Sequence, residues 1–232
     1  MECLYAPELS ATQHNIALSG DEFTHLRALR LREGSRVLLS NGVGLSAVAV
    51  VQALHAKHAI LQVTEAFPER SEQPVVLHLA LGILDNRERL EFAVEKGTEL
   101  GMNDFTPLLT TYSQRDRTNT ERLQSKALAA MKQSQRSRLP RIHAPKPLQT
   151  LFASCQPETV FILADAEGAE PEPFVSASVC VLVGAEGGFS EEERALIAAQ
   201  QPLRWRLAPT RLRAETAAVV ALAVAGVMNT QA

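Results

Sequence analysis

The sequence predicts an α/β domain, built on a mostly parallel sheet with helices on both faces and preceded by a small β-barrel domain. Two observations support this prediction. From residue 75 onward, apolar strand-like runs alternate with helical segments, which is typical of a parallel sheet. Before residue 67, short β-branched runs follow one another with hairpin signals, which is typical of a small barrel.

The N-terminal part begins with one short helix. Ser19 and Glu22 form an S-x-x-E helix-start signal, and Gly34 stands where a helix stop is expected. Three β-branched runs follow, and Asn41-Gly42 is a strong hairpin signal. The sequence therefore predicts a helix followed by a small antiparallel barrel.

A polar segment at 67–74 contains two prolines and separates the two patterns. We therefore predict two domains, 1–70 and 74–232. In the second domain we expect strands at 75–81, 104–110, 159–165, 178–184 and 203–208, and helices at 86–101, 118–136, 190–200 and from Glu215 onward.

Composition narrows the class of protein. The net charge is −3, so there is no overall basic field, and 46% of the residues are apolar, as in ordinary globular proteins. The three cysteines, Cys3, Cys155 and Cys180, are far apart in sequence and form neither a disulfide framework nor a metal-ligand spacing. We therefore expect no metal and a reducing, cytoplasmic location.

The N-terminal residues and the lengths of the apolar runs argue against a secreted protein and against a membrane-spanning one. The N-terminus lacks the basic and apolar regions of a secretion signal. The longest uncharged apolar run, residues 217–228, is 12 residues long, whereas a bilayer span needs roughly 20. This run is apolar on every face, which predicts either a central core helix or a helix at a homodimer interface.

A glycine loop joins the strand at 178–184 to the next helix. Gly184, Gly187 and Gly188 match neither a P-loop, which needs a lysine, nor a dinucleotide fingerprint, which needs other spacing. Ser190 and Glu193 form a capping box, and two further glutamates occupy the first turn of the helix. A phosphate would be repelled there, so the loop favours a neutral or cationic ligand.

Several segments together resemble the SPOUT-class bacterial 16S rRNA (uracil-N3)-methyltransferase family. GAEGGFSEEE at 184–193 and LRAETA at 212–217 are similar to its C-terminal signature. Residues 25–44 resemble the start of its PUA-like domain, 95–114 its K-x-x-E-L-G segment, and 132–142 its Q-x-x-R-x-x-x-P segment. The likeness covers most of the chain.

The resemblance implies a trefoil-knotted α/β fold, a homodimer, and S-adenosylmethionine bound in the knot. It also implies that 16S rRNA in the small ribosomal subunit is the substrate. The cofactor-binding residues that it implies are Leu182, Gly184, Glu186, Gly187, Gly188, Leu207, Ala208, Leu212, Thr216 and Ala217. The sequence departs from the family pattern at Ala185, Ala208, Thr210 and Arg211, where alanine at 208 could crowd the cofactor loop.

Local charge predicts contact with RNA. Between Tyr112 and Lys146 stand nine lysines and arginines but only two acids. Such clustering is typical of phosphate contact, whereas 5% aromatic residues argue against a stacking platform for single strands. The candidate RNA-binding residues are Arg27, Arg30, Arg32, Arg115, Arg117, Arg136, Arg138 and Arg141.

Methylation of uracil N3 requires loss of its proton, and a nearby cation would stabilise the resulting anion. Arg136 and Arg213 are the candidates for this role. Glu215 is either a general base or a buried structural carboxylate at a helix start. Two other functions stay open, namely methylation of another RNA position and a non-catalytic rRNA-binding assembly factor.

Overall fold

The computed structural model describes residues 1–113 and 118–230. The chain forms two compact units. Unit 1 comprises Met1–Glu72 and Leu128–Leu139, and unit 2 comprises Gln73–Ala127 and Pro140–Ala232.

Unit 1 is built on a five-stranded sheet with the strand order β1-β3-β4-β5-β2. The pair β1–β3 is parallel and the other pairs are antiparallel. Its elements are β1 (Cys3–Tyr5), β2 (Asn15–Ser19), α1 (Gly20–Ala28), β3 (Arg36–Ser40), β4 (Leu45–Leu54) and β5 (His58–Pro68).

The predicted hairpin at Asn41-Gly42 is confirmed and joins β3 to β4. The side-chain oxygen of Asn41 accepts hydrogen bonds from the backbone N–H groups of Val43 and Leu45, at 2.9 and 3.0 Å. Gly42 has φ +76°, a conformation that L side chains rarely adopt. The turn therefore depends on both residues of the signal.

The predicted limits of α1 are only partly right. Ser19 is the N-cap residue, but its side chain makes no capping hydrogen bond. The carboxylate of Glu22 instead accepts a hydrogen bond from the backbone N–H of Tyr5 at 3.1 Å. The helix ends at Ala28 rather than near Gly34, because Arg30 adopts φ +56° and turns the chain.

Unit 2 is built on a six-stranded sheet with the order β11-β9-β10-β6-β7-β8, in which every pair is parallel. The prediction of an α/β domain with a parallel sheet is confirmed. Its strands are β6 (Val76–Gly82), β7 (Asp104–Leu108), β8 (Arg141–Ile142), β9 (Val160–Ala169), β10 (Ser178–Val183) and β11 (Leu203–Trp205).

Five helices accompany this sheet, namely α2 (Arg87–Glu99), α3 (Thr120–Ser134), α4 (Leu148–Ser154), α5 (Glu191–Ala198) and α6 (Ala214–Met228). The last residues of α3 belong to unit 1. The short α4 and β8 were not predicted. Helices α4 and α5 share a buried apolar cluster with β6, β9 and β10.

Helix α6 packs against α2 and against the central strands β6 and β10. The approach is close, since a Cβ added to Gly97 of α2 would lie 3.2 Å from Leu222 of α6. In the described part of the chain, no helix has both the length and the apolar character needed to cross a bilayer. The parallel strands bring the loops after β6, β7, β9 and β10 to one edge of the sheet, where ligands of such sheets bind.

Candidate active site

The glycine loop after β10 is a tight turn with no room for a side chain at Gly184. A Cβ on Gly184 would lie 2.8 Å from the backbone of Gly188, which itself has φ +76°. The backbone N–H of Gly188 donates to the carbonyl of Ala185 at 2.8 Å and closes the turn.

The predicted capping box at the start of α5 is confirmed. The hydroxyl of Ser190 accepts from the backbone N–H of Glu193 at 3.3 Å, and the Glu193 carboxylate accepts from the N–H of Ser190 at 2.8 Å. The other Glu193 oxygen accepts from the backbone N–H of Thr111, in the loop after β7, at 2.7 Å. The helix N-terminus is therefore already supplied with anionic groups and offers little to a phosphate.

A cavity of about 630 Å³ opens between the middle of β9 and the loops that follow β10 and β11. This volume lies within the range of about 300–1,000 Å³ that is usual for small-molecule sites. The cavity brings together eight of the ten predicted cofactor-binding residues, namely Gly184, Glu186, Gly187, Gly188, Leu207, Ala208, Leu212 and Ala217.

The two other predicted cofactor-binding residues do not line this cavity. Leu182 is fully buried within β10, where it belongs to the apolar core. Thr216 is exposed in the first turn of α6. All four residues at which the sequence departs from the family pattern line the cavity, namely Ala185, Ala208, Thr210 and Arg211.

Asp165 lines the cavity and was not predicted from the sequence. Burial acts to raise the pKa of this carboxyl, but hydrogen bonds from the Glu167 backbone and the Arg204 guanidinium outweigh burial and hold the pKa below its ordinary value. Two Arg204 nitrogens lie 3.0 and 2.8 Å from one carboxylate oxygen. The available signal was a polar residue directly after the apolar run of β9.

A second cavity, of about 950 Å³, adjoins the first and shares Glu186 and Gly187 with it. Tyr112 also lines this cavity. Its side chain lies against Gly187, because a Cβ added to Gly187 would be 2.8 Å from the Cβ of Tyr112. Tyr112 is 48% exposed. The remaining lining residues are Asp85, Asn86, Arg89, Thr111 and Ser113.

Arg89 of α2 connects two predicted site residues. Its guanidinium lies 3.9 Å from a carboxylate oxygen of Glu186 and 3.6 Å from one of Glu215. Glu215 is 7% exposed. Arg89 was not predicted, because nothing in its local sequence distinguishes it from other helix-surface arginines.

The two predicted catalytic arginines occupy different environments. Arg213 is the exposed N-cap residue of α6, next to the cavity-lining Leu212. Arg136 lies in unit 1, where its side chain is 2% exposed and pairs with the Glu72 carboxylate at 2.6 Å. Arg136 lines neither cavity.

The candidate RNA-binding arginines also differ in their surroundings. Arg27, Arg30 and Arg32 are exposed in unit 1, and within the described residues no carboxylate lies at ion-pair distance from them. Arg138 pairs with Glu69 in unit 1, and Arg141 pairs with Asp104 in unit 2. Arg115 and Arg117 lie outside the described residues.

Comparison with known families agrees with this geometry. The family model described as RNA methyltransferase domain matches residues 71–226, and the one described as RNA methyltransferase PUA domain matches residues 18–64. The chain belongs to the RNA methyltransferase family. Both cavities of this RNA methyltransferase lie within the first of the two matches.

Two relatives that share one name match most of this chain. The "Ribosomal RNA small subunit methyltransferase E" of Bacillus subtilis is 27% identical over 89% of this chain and 87% of the relative. The protein of that name from Synechocystis sp. is 32% identical over 85% of this chain and 67% of the relative.

Solved structures extend the comparison to three dimensions. A Legionella pneumophila protein, solved in complex with the bound cofactor SAM, is 27% identical and has a TM-score of 0.83 over 96% of this chain and 95% of its own. A ribosomal RNA small subunit methyltransferase E from Neisseria gonorrhoeae, bound to S-adenosyl methionine, has a TM-score of 0.89 over 99% and 98% of the two chains. At 23% identity, the latter likeness describes the fold of this RNA methyltransferase.

Proposed function

We propose that the protein transfers a methyl group from S-adenosylmethionine to N3 of one uridine in the 16S rRNA of the small ribosomal subunit. The observation that carries this proposal is the pair of adjoining cavities, which share Glu186 and Gly187. One cavity suits the methyl donor and the other suits a target base. A common wall between the two is the arrangement that direct transfer of a small group requires.

The first cavity fits S-adenosylmethionine in size and in chemistry. Its walls combine apolar surface from Leu163, Trp205 and Leu207 with the backbone of the glycine loop. Asp165, Glu167 and Glu186 supply three negative charges against the two positive charges of Arg194 and Arg211, and no lysine is among the described residues that line the cavity. When bound, S-adenosylmethionine supplies a methyl group attached to a cationic sulfur, which suits a cavity whose acidic residues outnumber its basic ones and which has no phosphate-binding lysine among the described residues.

In the second cavity, Tyr112 and Arg89 would receive the uracil. The half-exposed Tyr112 ring offers an aromatic face on which a base extruded from the RNA can stack. The Arg89 guanidinium would neutralise the charge that develops on the uracil oxygens when N3 loses its proton. Arg213 is the second guanidinium proposed for this role, because it is exposed at the N-terminus of α6 beside the first cavity.

The two remaining predicted catalytic residues receive structural roles. Glu215 is buried against Arg89 and would hold that guanidinium in position. Arg136 would stabilise unit 1 through its buried pair with Glu72 rather than contact RNA, because a guanidinium that is 2% exposed has no free surface. Arg27, Arg30 and Arg32, together with Arg138 and Arg141, would contact RNA phosphates.

A homodimer through α6 belongs to the same proposal. After Glu215 this helix contains no charged residue, yet Val220, Val224 and Val227 are not buried and recur at intervals of three and four residues. Such a stripe lies on one side of a helix and is suited to a second copy of the chain. Sedimentation of Val220→Glu and Val227→Glu variants as monomers, against a dimeric wild type, would support the interface.

Three further features complete the proposal. We place the RNA-binding PUA-like domain at 1–70 and the methyltransferase domain at 74–232. We expect the latter to carry a trefoil knot around the cofactor. A ribosomal substrate in a bacterial cell implies action in the cytoplasm.

Transfer of labelled methyl groups tests the activity. The purified chain is incubated with methyl-labelled S-adenosylmethionine and either small ribosomal subunits or extracted 16S rRNA, both from cells without this modification. We expect about one label per rRNA molecule. The matched control is Gly184→Ala, whose Cβ would collide with the Gly188 backbone and close the cofactor loop.

The outcomes separate the functions that stay open. Label in neither substrate, together with no calorimetric binding of S-adenosylmethionine, would indicate a non-catalytic assembly factor. Label in only one of the two substrates would identify naked RNA or the assembled subunit as the form that the protein recognises.

A further inference from the structure

Three side chains of types that ligate metals cluster in unit 2, outside the linings of both cavities. The ligand atoms of His78, Cys155 and Cys180 all lie within 4.8 Å of one another. None of these three residues lines either cavity. We propose that His78, Cys155 and Cys180 bind one soft divalent cation of the zinc type.

The fold brings these residues together from three separate elements. In the register of the parallel sheet, Cys180 of β10 is the direct partner of His78 of β6. Paired residues of adjacent strands point to the same face of a sheet, so these two side chains are neighbours. Cys155 follows the last residue of α4, which packs on that same face through Leu148 and Leu151.

The spacing of the cluster suits a tetrahedral ion. In a tetrahedral zinc site the bonds to sulfur are about 2.3 Å long, which places two sulfur ligands roughly 3.8 Å apart. Ligand atoms that are at most 4.8 Å apart therefore need to move only slightly to bind one ion. Cys180 is fully buried, whereas His78 and Cys155 are partly exposed and leave a way in.

A neighbouring hydroxyl orients the imidazole. The Nε2 atom of His78 lies 2.8 Å from the hydroxyl of Thr106, which is fully buried on β7. With the Nε2 proton donated to Thr106, the lone pair of Nδ1 is free for a cation. Metal-binding histidines in proteins almost always have such a partner on their second nitrogen.

The kind of ligand determines the kind of ion. Two sulfurs and one imidazole nitrogen select zinc-like cations over magnesium or calcium, which prefer oxygen. Two thiolates would also neutralise a divalent charge in this largely buried place. Three protein ligands leave the fourth position to water, and the bound ion would fasten the end of α4 to the centre of the sheet.

Cobalt is the probe that tests the site, because cobalt–thiolate bonds absorb light and zinc displaces cobalt. The full chain, freed of metal with a chelator and kept reduced with a phosphine, is titrated with Co²⁺. We expect charge-transfer absorption that saturates at one Co²⁺ per chain and disappears when one equivalent of Zn²⁺ is added. Zn²⁺ should also raise Tm, since it binds the folded chain.

Variants assign the absorption to this cluster. Cys155→Ser removes a partly exposed ligand and should abolish the absorption. Thr106→Val removes only the partner of His78 and should weaken Co²⁺ binding about tenfold or more. The matched control is Cys3→Ala, because Cys3 is a buried cysteine of unit 1 outside the cluster. This variant should bind as the wild type does.

Two results would overturn the proposal. One is a wild-type chain whose cobalt spectrum is no different from that of Cys155→Ser. The other is a Cys155–Cys180 disulfide as the only change on exposure to air, with no metal retained by the reduced chain. Binding of S-adenosylmethionine, measured in parallel on each variant, shows that the chain is folded.

Discussion

At the residue scale, the glycine loop depends on positions where any larger side chain would collide with backbone. A Cβ on Gly184 would lie 2.8 Å from Gly188, and one on Gly82, at the end of β6, would lie 2.3 Å from the backbone nitrogen of Ala185. The first glycine is recognisable in the sequence because it belongs to a loop motif. Gly82 is not recognisable in this way, because the residue that it contacts, Ala185, is about a hundred residues away along the chain.

Tyr112 provides a prediction at this scale. If its ring stacks on the target base, Tyr112→Ala should raise the KM for RNA by roughly 5- to 150-fold, the equivalent of about 1–3 kcal/mol of stacking. Tyr112→Phe keeps the aromatic face and should behave like the wild type. Steady-state kinetics with small-subunit RNA measures the effect.

Calorimetry with S-adenosylmethionine supplies the control, because Tyr112 also lies against Gly187. The cofactor affinity of Tyr112→Ala should be unchanged. An equal loss of RNA and cofactor affinity would contradict stacking and assign Tyr112 to supporting the glycine loop.

At the element scale, α5 is connected to two loops through one capping box. Ser190 and Glu193 cap the helix, and Glu193 also accepts a hydrogen bond from Thr111 in the loop after β7. Ser190→Ala should cost about 1 kcal/mol of folding free energy. The corresponding fall in Tm is about 2–4 °C for a domain of this size.

Scanning calorimetry measures the change in Tm. The affinity for S-adenosylmethionine should also fall in Ser190→Ala, because the capping box fixes the end of the glycine loop. Ser125→Ala is the matched control, because Ser125 is an exposed helical serine whose hydroxyl, among the described residues, donates only to the carbonyl of Glu121. If both variants have the same Tm as the wild type, the box does not stabilise α5.

The elements also differ in how far the sequence determines them. The strand–helix alternation and the cap of α5 are local patterns, and both are confirmed. The end of α1 was predicted too late, because Gly34 is a turn glycine while the chain already turns at Arg30. The pairing of Cys180 with His78 depends on sheet register, which no local pattern contains.

At the scale of the whole molecule, stability should depend on pH through Glu91 of α2. Hydrogen bonding to Arg122 holds the pKa of this carboxyl below its ordinary value. A carboxyl with a lowered folded-state pKa stabilises the fold above its unfolded pKa of about 4.3, and this contribution is lost as the pH falls through the folded value.

Glu91→Gln should therefore lower Tm at neutral pH. The difference in Tm between this variant and the wild type should shrink as the solution is acidified below pH 4. Thermal unfolding across this pH range measures both effects. Glu88→Gln, at an exposed position on the same helix, is the control and should show little change at any pH. If the difference in Tm between Glu91→Gln and the wild type does not change with pH, the ion-pair explanation is wrong.

The proposed function depends most directly on which atom of the rRNA is methylated. The most direct measurement is to digest the labelled 16S rRNA to nucleosides and to identify the labelled product by chromatography and mass. We expect labelled 3-methyluridine with the wild type and none with Gly184→Ala. Label on a ribose 2′-oxygen or on another base would contradict the uridine N3 assignment, while leaving the methyltransferase fold and its cofactor cavity as described.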